Sequence, residues 1–153
     1  MNAKRTGQVS ALASPLLQPG EAIELVTAAK VGTPSKKKQI LVPVIVAIVT
    51  LGTVRMIVVA KGYYIVITSQ RLLFFAADRT TGAPGRKLAF QLDRRGLTAT
   101  PPRRRLGVTC YLVSQQNPGK LRLAFSAWGR RQAETVVSAI NTTRPQAPAP
   151  TQS

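Results

Sequence analysis

Apolar positions recur about every second residue through most of this chain, and at helical spacing only near its end. Residues 22–29 alternate in part. Residues 63–68 and 71–77 are runs of β-branched, aliphatic and aromatic side chains separated by Ser69 and Gln70, a hairpin-length gap. A loop over 81–85 is expected from its Gly and Pro content. Leu88, Phe90 and Leu92 then fall on one face of a further strand. Residues 96–100 follow, stopped by Pro101 and Pro102. Residues 107–113 and 120–125 flank Asn117, Pro118 and Gly119, a turn sequence. In the second of these strands Leu121, Leu123 and Phe125 face one way, and Lys120 and Arg122 the other.

From Arg130 the period changes. Ala133, Val136, Val137 and Ile140 stand at i, i+3, i+4 and i+7, an apolar stripe opposite Arg131, Gln132 and Ser138. Ser126 is the expected N-cap, and Asn141 and Pro145 close the helix. Strands followed by one amphipathic helix predict a mainly β fold, an antiparallel sheet or small barrel closed by the C-terminal helix. Residues 1–19 read as a flexible lead-in, and the Pro/Ala-rich residues 143–153 as a disordered tail, leaving a domain over 20–142. Lys4 and Arg5 imitate the start of a signal peptide, but Thr6, Gly7, Gln8 and Ser10 interrupt the apolar stretch that should follow. A secreted protein is therefore not expected.

One segment fits neither period. Residues 40–54 carry no charge, and after Arg55 the apolar run resumes to Ala60. As a helix, residues 40–60 would span about 31 Å, close to the thickness of a bilayer core. Lys36, Lys37, Lys38 and Lys61 would then mark the interfaces. The same residues are rich in Val and Ile, which also suits two buried strands turning at Leu51, Gly52 and Thr53. The 39–61 segment can thus be membrane-embedded, or a buried strand pair or core helix, and these readings stand at this level.

Charge narrows the function. Of 153 residues, 22 are Lys or Arg and five are Asp or Glu, for a net charge of +17. Removing both ends leaves +14 in residues 20–142, so the charge belongs to the domain. It concentrates at Lys30, Lys36, Lys37 and Lys38, and across residues 86–105, which include Arg94, Arg95, Arg103, Arg104 and Arg105. Such fields attract polyanions, either nucleic acid or an anionic bilayer. The chain has no His, and its five acids are scattered, so neither an acid–base constellation nor a nucleophile–base pair can be assembled and no enzyme is expected. The single Cys110, mid-strand, reads as a small buried hydrophobe. With one Cys and no His, neither a metal site nor a cofactor is expected.

The stretch from Tyr64 to Phe75, in which an apolar strand ends in Thr68 and Arg71-Leu72 opens the next, resembles the bacterial pleckstrin-homology-like (PH-like) domains. Pro19, Gly20 and Glu21 before the first strand, the strand 121–125 running into a helix with Trp128 at the junction, and an apolar insertion after the first strand extend the similarity over about residues 20–141. Ser69 departs from the Asp or Asn common in that turn. The resemblance implies a strongly bent sheet capped by a C-terminal helix, and a binding module. It also carries Lys30, Lys36, Lys37 and Lys38 over to the stretch used for headgroup recognition in eukaryotic members.

The expectation is thus a membrane-associated, lipid-binding module on the cytoplasmic side of the cell membrane, held peripherally or by a single segment. Its site residues are Lys30, Lys36, Lys37, Lys38, Arg94, Arg95, Arg103, Arg104 and Arg105. The competing classes are a soluble nucleic-acid-binding protein and a protein-interaction scaffold. Nucleic-acid binding calls for aromatic platforms among the cations, whereas most of the eight aromatics here read as core.

Overall fold

The computed structural model describes residues 1–32, 45–48, 54–57, 61–115 and 117–142. The strands are β1 (Ile23–Gly32), β2 (Ile45–Ile48), β3 (Val54–Ile57), β4 (Lys61–Thr68), β5 (Arg71–Ala77), β6 (Pro84–Asp93), β7 (Leu97–Ala99), β8 (Arg103–Arg104), β9 (Val108–Ser114) and β10 (Asn117–Phe125). Helix α1 (Ala3–Ala13) precedes them and α2 (Arg130–Thr142) follows. Eight strands form one antiparallel sheet in the order β6-β5-β4-β1-β10-β9-β7, with β8 also on β9. Among the described residues the sheet is not closed, because its end strands β6 and β7 do not pair with each other. The architecture is therefore mainly β with a C-terminal helix, as expected from the pattern.

Strand β1 joins the two halves. It pairs along its length with β4, from Ile23↔Thr68 to Val31↔Lys61, and its last residues also pair with β10, from Lys30↔Ala124 to Gly32↔Arg122. Both halves contribute to one core that includes Ala29, Val31, Ile65, Phe74, Cys110 and Leu123, to which α2 adds Ala133, Val136 and Ile140. Phe74 stacks on Phe90 at 4.2 Å between centroids, and Tyr63 meets Phe90 edge-on at 5.4 Å. Such geometries add to the burial of the rings themselves.

Four sequence expectations are corrected by tertiary packing. Residues 1–19 are not a loose lead-in: Asn2 Oδ1 caps α1 by accepting from the Lys4 amide at 3.1 Å, and Val9 and Ala13 are fully buried. They cover the outer face of the sheet, packing with Tyr64, Val66, Leu73 and Phe75. This explains why β4 and β5 read as continuous apolar runs: both of their faces are covered. Secondly, Leu88 does not share a face with Phe90 and Leu92. The register moves from Phe74↔Phe90 to Phe75↔Leu88, and the extra residue, Ala89, sends Leu88 to the α1 side. Thirdly, the reversal before β10 comes earlier than the Asn117-Pro118-Gly119 sequence suggests. Asn117 already pairs with Ser114, and the Pro-Gly pair falls at a register shift. Finally, α2 begins after Gly129 rather than Ser126, because the Gly129 amide first closes a turn on the Ser126 carbonyl at 2.9 Å.

In the apolar segment, β2 and β3 pair antiparallel from Ile45↔Ile57 to Ile48↔Val54. The described part of the segment is thus a strand pair, consistent with its β-branched content. The rest of 39–60 lies outside the described residues, as does the tail expected over 143–153. No helix among the described residues is long and apolar enough to cross a membrane.

Candidate functional site

All five acidic side chains are described, and each has a hydrogen-bond partner within the chain, although only Glu21 is buried. Glu21 lies beneath the β4–β5 turn with its side chain fully closed to solvent. The Arg71 guanidinium donates to both of its oxygens, at 3.0 and 3.1 Å, and the Gln18 amide donates at 2.8 Å. The Thr68 hydroxyl donates to Glu21 as well and receives the Arg71 amide at 3.0 Å. The remaining guanidinium nitrogen of Arg71, Nη1, donates to Gln91 Oε1 at 2.6 Å, and Nη2 donates to the Leu16 carbonyl as well. Burial acts to raise the Glu21 pKa, but these hydrogen bonds and the Arg71 charge outweigh it and hold the carboxyl below its ordinary value. The Thr68-x-x-Arg71 pattern and the Pro19-Gly20-Glu21 lead-in, distant in sequence, therefore meet in one ion pair.

Glu24 accepts from Arg94 at 2.8 Å, and Glu134 from Arg130 at 2.9 Å. Asp78 receives the Thr80 and Thr81 amides at 2.9 and 2.8 Å. The Thr81 contacts lead in holding its pKa down. Asp93 receives the Arg95 amide at 2.8 Å. Glu21, Glu24 and Glu134 are thus held in ion pairs, while Asp78 and Asp93 are exposed and held by backbone amides, far fewer anions than there are exposed cations on the described surface.

Against that background the expected site residues separate. Arg94 is buried, and this corrects its assignment to a binding surface. Its guanidinium donates to Glu24, to the Thr68 carbonyl and to the Ala139 carbonyl in the last turn of α2. A cation placed on the carbonyl end of a helix is favourable, and this one ties α2 to β1 and β4. Lys30, Arg95, Arg103, Arg104 and Arg105 are exposed. Lys36, Lys37 and Lys38 lie outside the described residues.

Lys30 borders a groove of about 350 Å³ where β10 departs from β1, lined also by Met1, Arg5, Tyr64, Ser126 and Gln132. Gln132 Nε2 donates to Thr27 Oγ1 and to the Ala28 carbonyl at 3.4 Å, fixing α2 at one side of it. The groove thus has two cationic side chains, Lys30 and Arg5, and no acidic one. Arg5 was invisible as a partner of Lys30 until α1 folded across the sheet.

Arg103, Arg104 and Arg105 lie at the other side of the second half. Arg103 pairs with Thr109 and Arg104 with Val108 in the short β8–β9 ladder, so part of this basic run is a strand. The Arg105 amide then closes on the Gly107 carbonyl at 2.9 Å. The next residue, Leu106, is 98% exposed, and Trp128, just before α2, is 93% exposed. Leu106 did not stand out in the sequence, and Trp128 entered only through the family resemblance, at the junction with the helix. Leu106 is in phase with the inward-facing Val108, Cys110 and Leu112, but β9 begins only at Val108. Trp128 follows the last inward residue of β10, Phe125, by three positions. Cys110 is fully buried, and burial pushes its thiol up to about 11, so it is held as the neutral thiol. Among the described residues, no group of three or more acidic or Cys side chains comes together.

Fold and surface together define a mainly β protein, an open eight-stranded antiparallel sheet with a C-terminal helix, whose exposed charge among the described residues is predominantly positive. No family model matches the chain, and no curated protein matches it. Among solved structures it is similar in fold to the C-terminal domain of an unknown protein from Leishmania infantum, with a TM-score of 0.51 and 13% sequence identity. The match covers 88% of this chain and 95% of that one.

Proposed function

We propose that this chain is a non-catalytic PH-like binding module that associates with an anionic membrane surface through basic residues and an apolar segment, on the cytoplasmic side of the cell membrane. Two meanders joined through the first and last strands, with α2 across the core between them, support the PH-like reading. So does the meeting of Glu21, Thr68 and Arg71, the residues on which the sequence resemblance rests. The observation that carries the membrane reading is the imbalance of the described surface: three of the five acids are taken up in ion pairs with arginines, and many more cations than anions are exposed. Lys30, Arg95, Arg103, Arg104 and Arg105 are left as exposed cations without a carboxylate partner among the described residues. Each basic residue near an anionic bilayer contributes on the order of 1 kcal/mol of attraction.

Sedimentation with vesicles tests this. The protein is expected to pellet with phosphatidylcholine–phosphatidylglycerol vesicles and not with phosphatidylcholine alone, and to be released as salt rises. Lys30→Glu and Arg95→Glu should each weaken recovery several-fold. Equal and negligible recovery on both kinds of vesicle would sink the reading.

A further inference from the structure

We infer that Leu106 and Trp128 form the tip by which this protein inserts into an anionic bilayer, with Arg103, Arg104 and Arg105 engaging lipid phosphates around them. The inference rests on the membrane reading above and locates its contact.

The placement follows from the β9–β10 register. Phe125↔Val108 is the last rung of that ladder. Leu106 stands two residues before one member of the rung and Trp128 three after the other, so both leave the same end of the sheet. That end is tightly built. The backbone oxygen of Phe125 sits 2.9 Å from where a Cβ on Gly107 would lie, and the Cβ of Phe125 sits equally close to one on Gly129. Two tight turns, Arg105–Gly107 and Ser126–Gly129, hold the two side chains out from a fixed backbone.

The fold makes no use of either side chain, since both are almost fully in water. Single exposed apolar residues are ordinary, but a Leu and a Trp projecting from one rigid end are a paired apolar feature. Trp suits the boundary between headgroups and hydrocarbon, where its ring is buried and its N–H stays wet.

The surrounding charge selects the bilayer. Arg103, Arg104, Arg105, Arg130 and Arg131 are all exposed near this end, and the single carboxylate among them, Glu134, is engaged by Arg130. Arg130 and Arg131 occupy the first turn of α2, which holds no acidic residue, so they lie against the helix dipole. The arginine forks match phosphate oxygens well. A nucleic acid fits less well: Tyr63, Tyr64, Phe74, Phe75, Phe90 and Phe125 are buried, which removes six of the eight aromatics as base-stacking platforms, and Leu106 offers no ring at all.

Because Trp128 is the chain's one tryptophan, its fluorescence reports this site alone. Full-length protein is mixed with phosphatidylcholine–phosphatidylglycerol vesicles. The Trp128 emission should shift to the blue and be quenched by brominated acyl chains. Leu106→Ser and Trp128→Ser should each weaken sedimentation with these vesicles on the order of tenfold. Their circular dichroism should match the parent's, since both side chains lie outside the core. If the parent pellets with anionic vesicles but its emission is unchanged and both variants bind as it does, the inference is overturned while the membrane reading stands. If the parent binds no vesicle, both fall. A shift of Trp128 emission on a single-stranded oligonucleotide, with none on vesicles, overturns the inference in favour of nucleic acid.

Discussion

Glu21 shows how a single carboxylate can organise a polar cluster inside an apolar fold. Its side chain has no exposed surface, yet Arg71, Thr68 and the Gln18 amide satisfy it. The pKa is held below the reference value of 4.5, so the folded state binds a proton here less readily than the unfolded state does. The stabilisation is therefore fully present above about pH 4.5 and is lost as pH falls through the lower, folded value. Thermal unfolding followed from neutral to acid pH should show this loss, and Glu21→Gln should flatten that part of the curve. At neutral pH the same substitution should cost about 2–4 kcal/mol, because it leaves Arg71 without its counter-charge in a largely buried site. An unchanged acid limb in Glu21→Gln would mean that Glu21 is not the group responsible. The Thr-x-x-Arg pattern was legible in the sequence, but its partner was not. Glu21 lies 47 residues from Thr68 and 50 from Arg71, and nothing local records that they meet.

Among elements, α1 is the one the sequence concealed. Gly7 and the polar residues around it blunt its apolar stripe, and only Val9 and Ala13 are fully buried. What requires it is on other strands: Tyr64, Val66, Leu73 and Phe75 form an apolar outer face that must be covered. The continuity of the 63–68 and 71–77 runs already carried that information, because a strand with one wet face alternates. Val9→Asp places a carboxylate in a fully closed site with no cation opposite, at a cost of about 3 kcal/mol or more. Denaturant unfolding should show that loss, and the native baseline should bind a hydrophobic dye as α1 detaches. A variant as stable as the parent would show that α1 is dispensable. By contrast α2 was visible from its stripe alone and begins at Arg130, where the period changes; only its expected cap at Ser126 is displaced, by the Ser126–Gly129 turn.

For the whole molecule, Arg94 separates charge that builds the fold from charge that meets a partner. In the sequence it is one of a pair with Arg95 in a basic run. In the fold the two point to opposite environments, Arg94 buried against β1, β4 and the end of α2, and Arg95 exposed. Asn141 completes the same junction, receiving the Ala99 amide and donating to its carbonyl, both at 2.9 Å, which occupies the edge strand β7. Arg94→Ala removes the donor for three acceptors and is expected to lower stability by about 2–4 kcal/mol. The folded fraction should still pellet with anionic vesicles as the parent does. A selective loss of vesicle binding at unchanged stability would return Arg94 to the binding surface.

By itself the sequence determined the quantities that are local or additive: strand periods, the amphipathic last helix, the scarcity of acids and the net charge of +17. These depend on residues within a few positions of one another or on simple sums. Only the tertiary structure decided which face Leu88 takes, that residues 3–13 cover a sheet, and which arginines remain in water. It also brought Leu106 and Trp128 to one end of a ladder. Each of these depends on contacts between residues far apart in the chain, and on where a bulge or turn shifts the register by one residue. A one-residue shift exchanges inside for outside, and no local pattern records it.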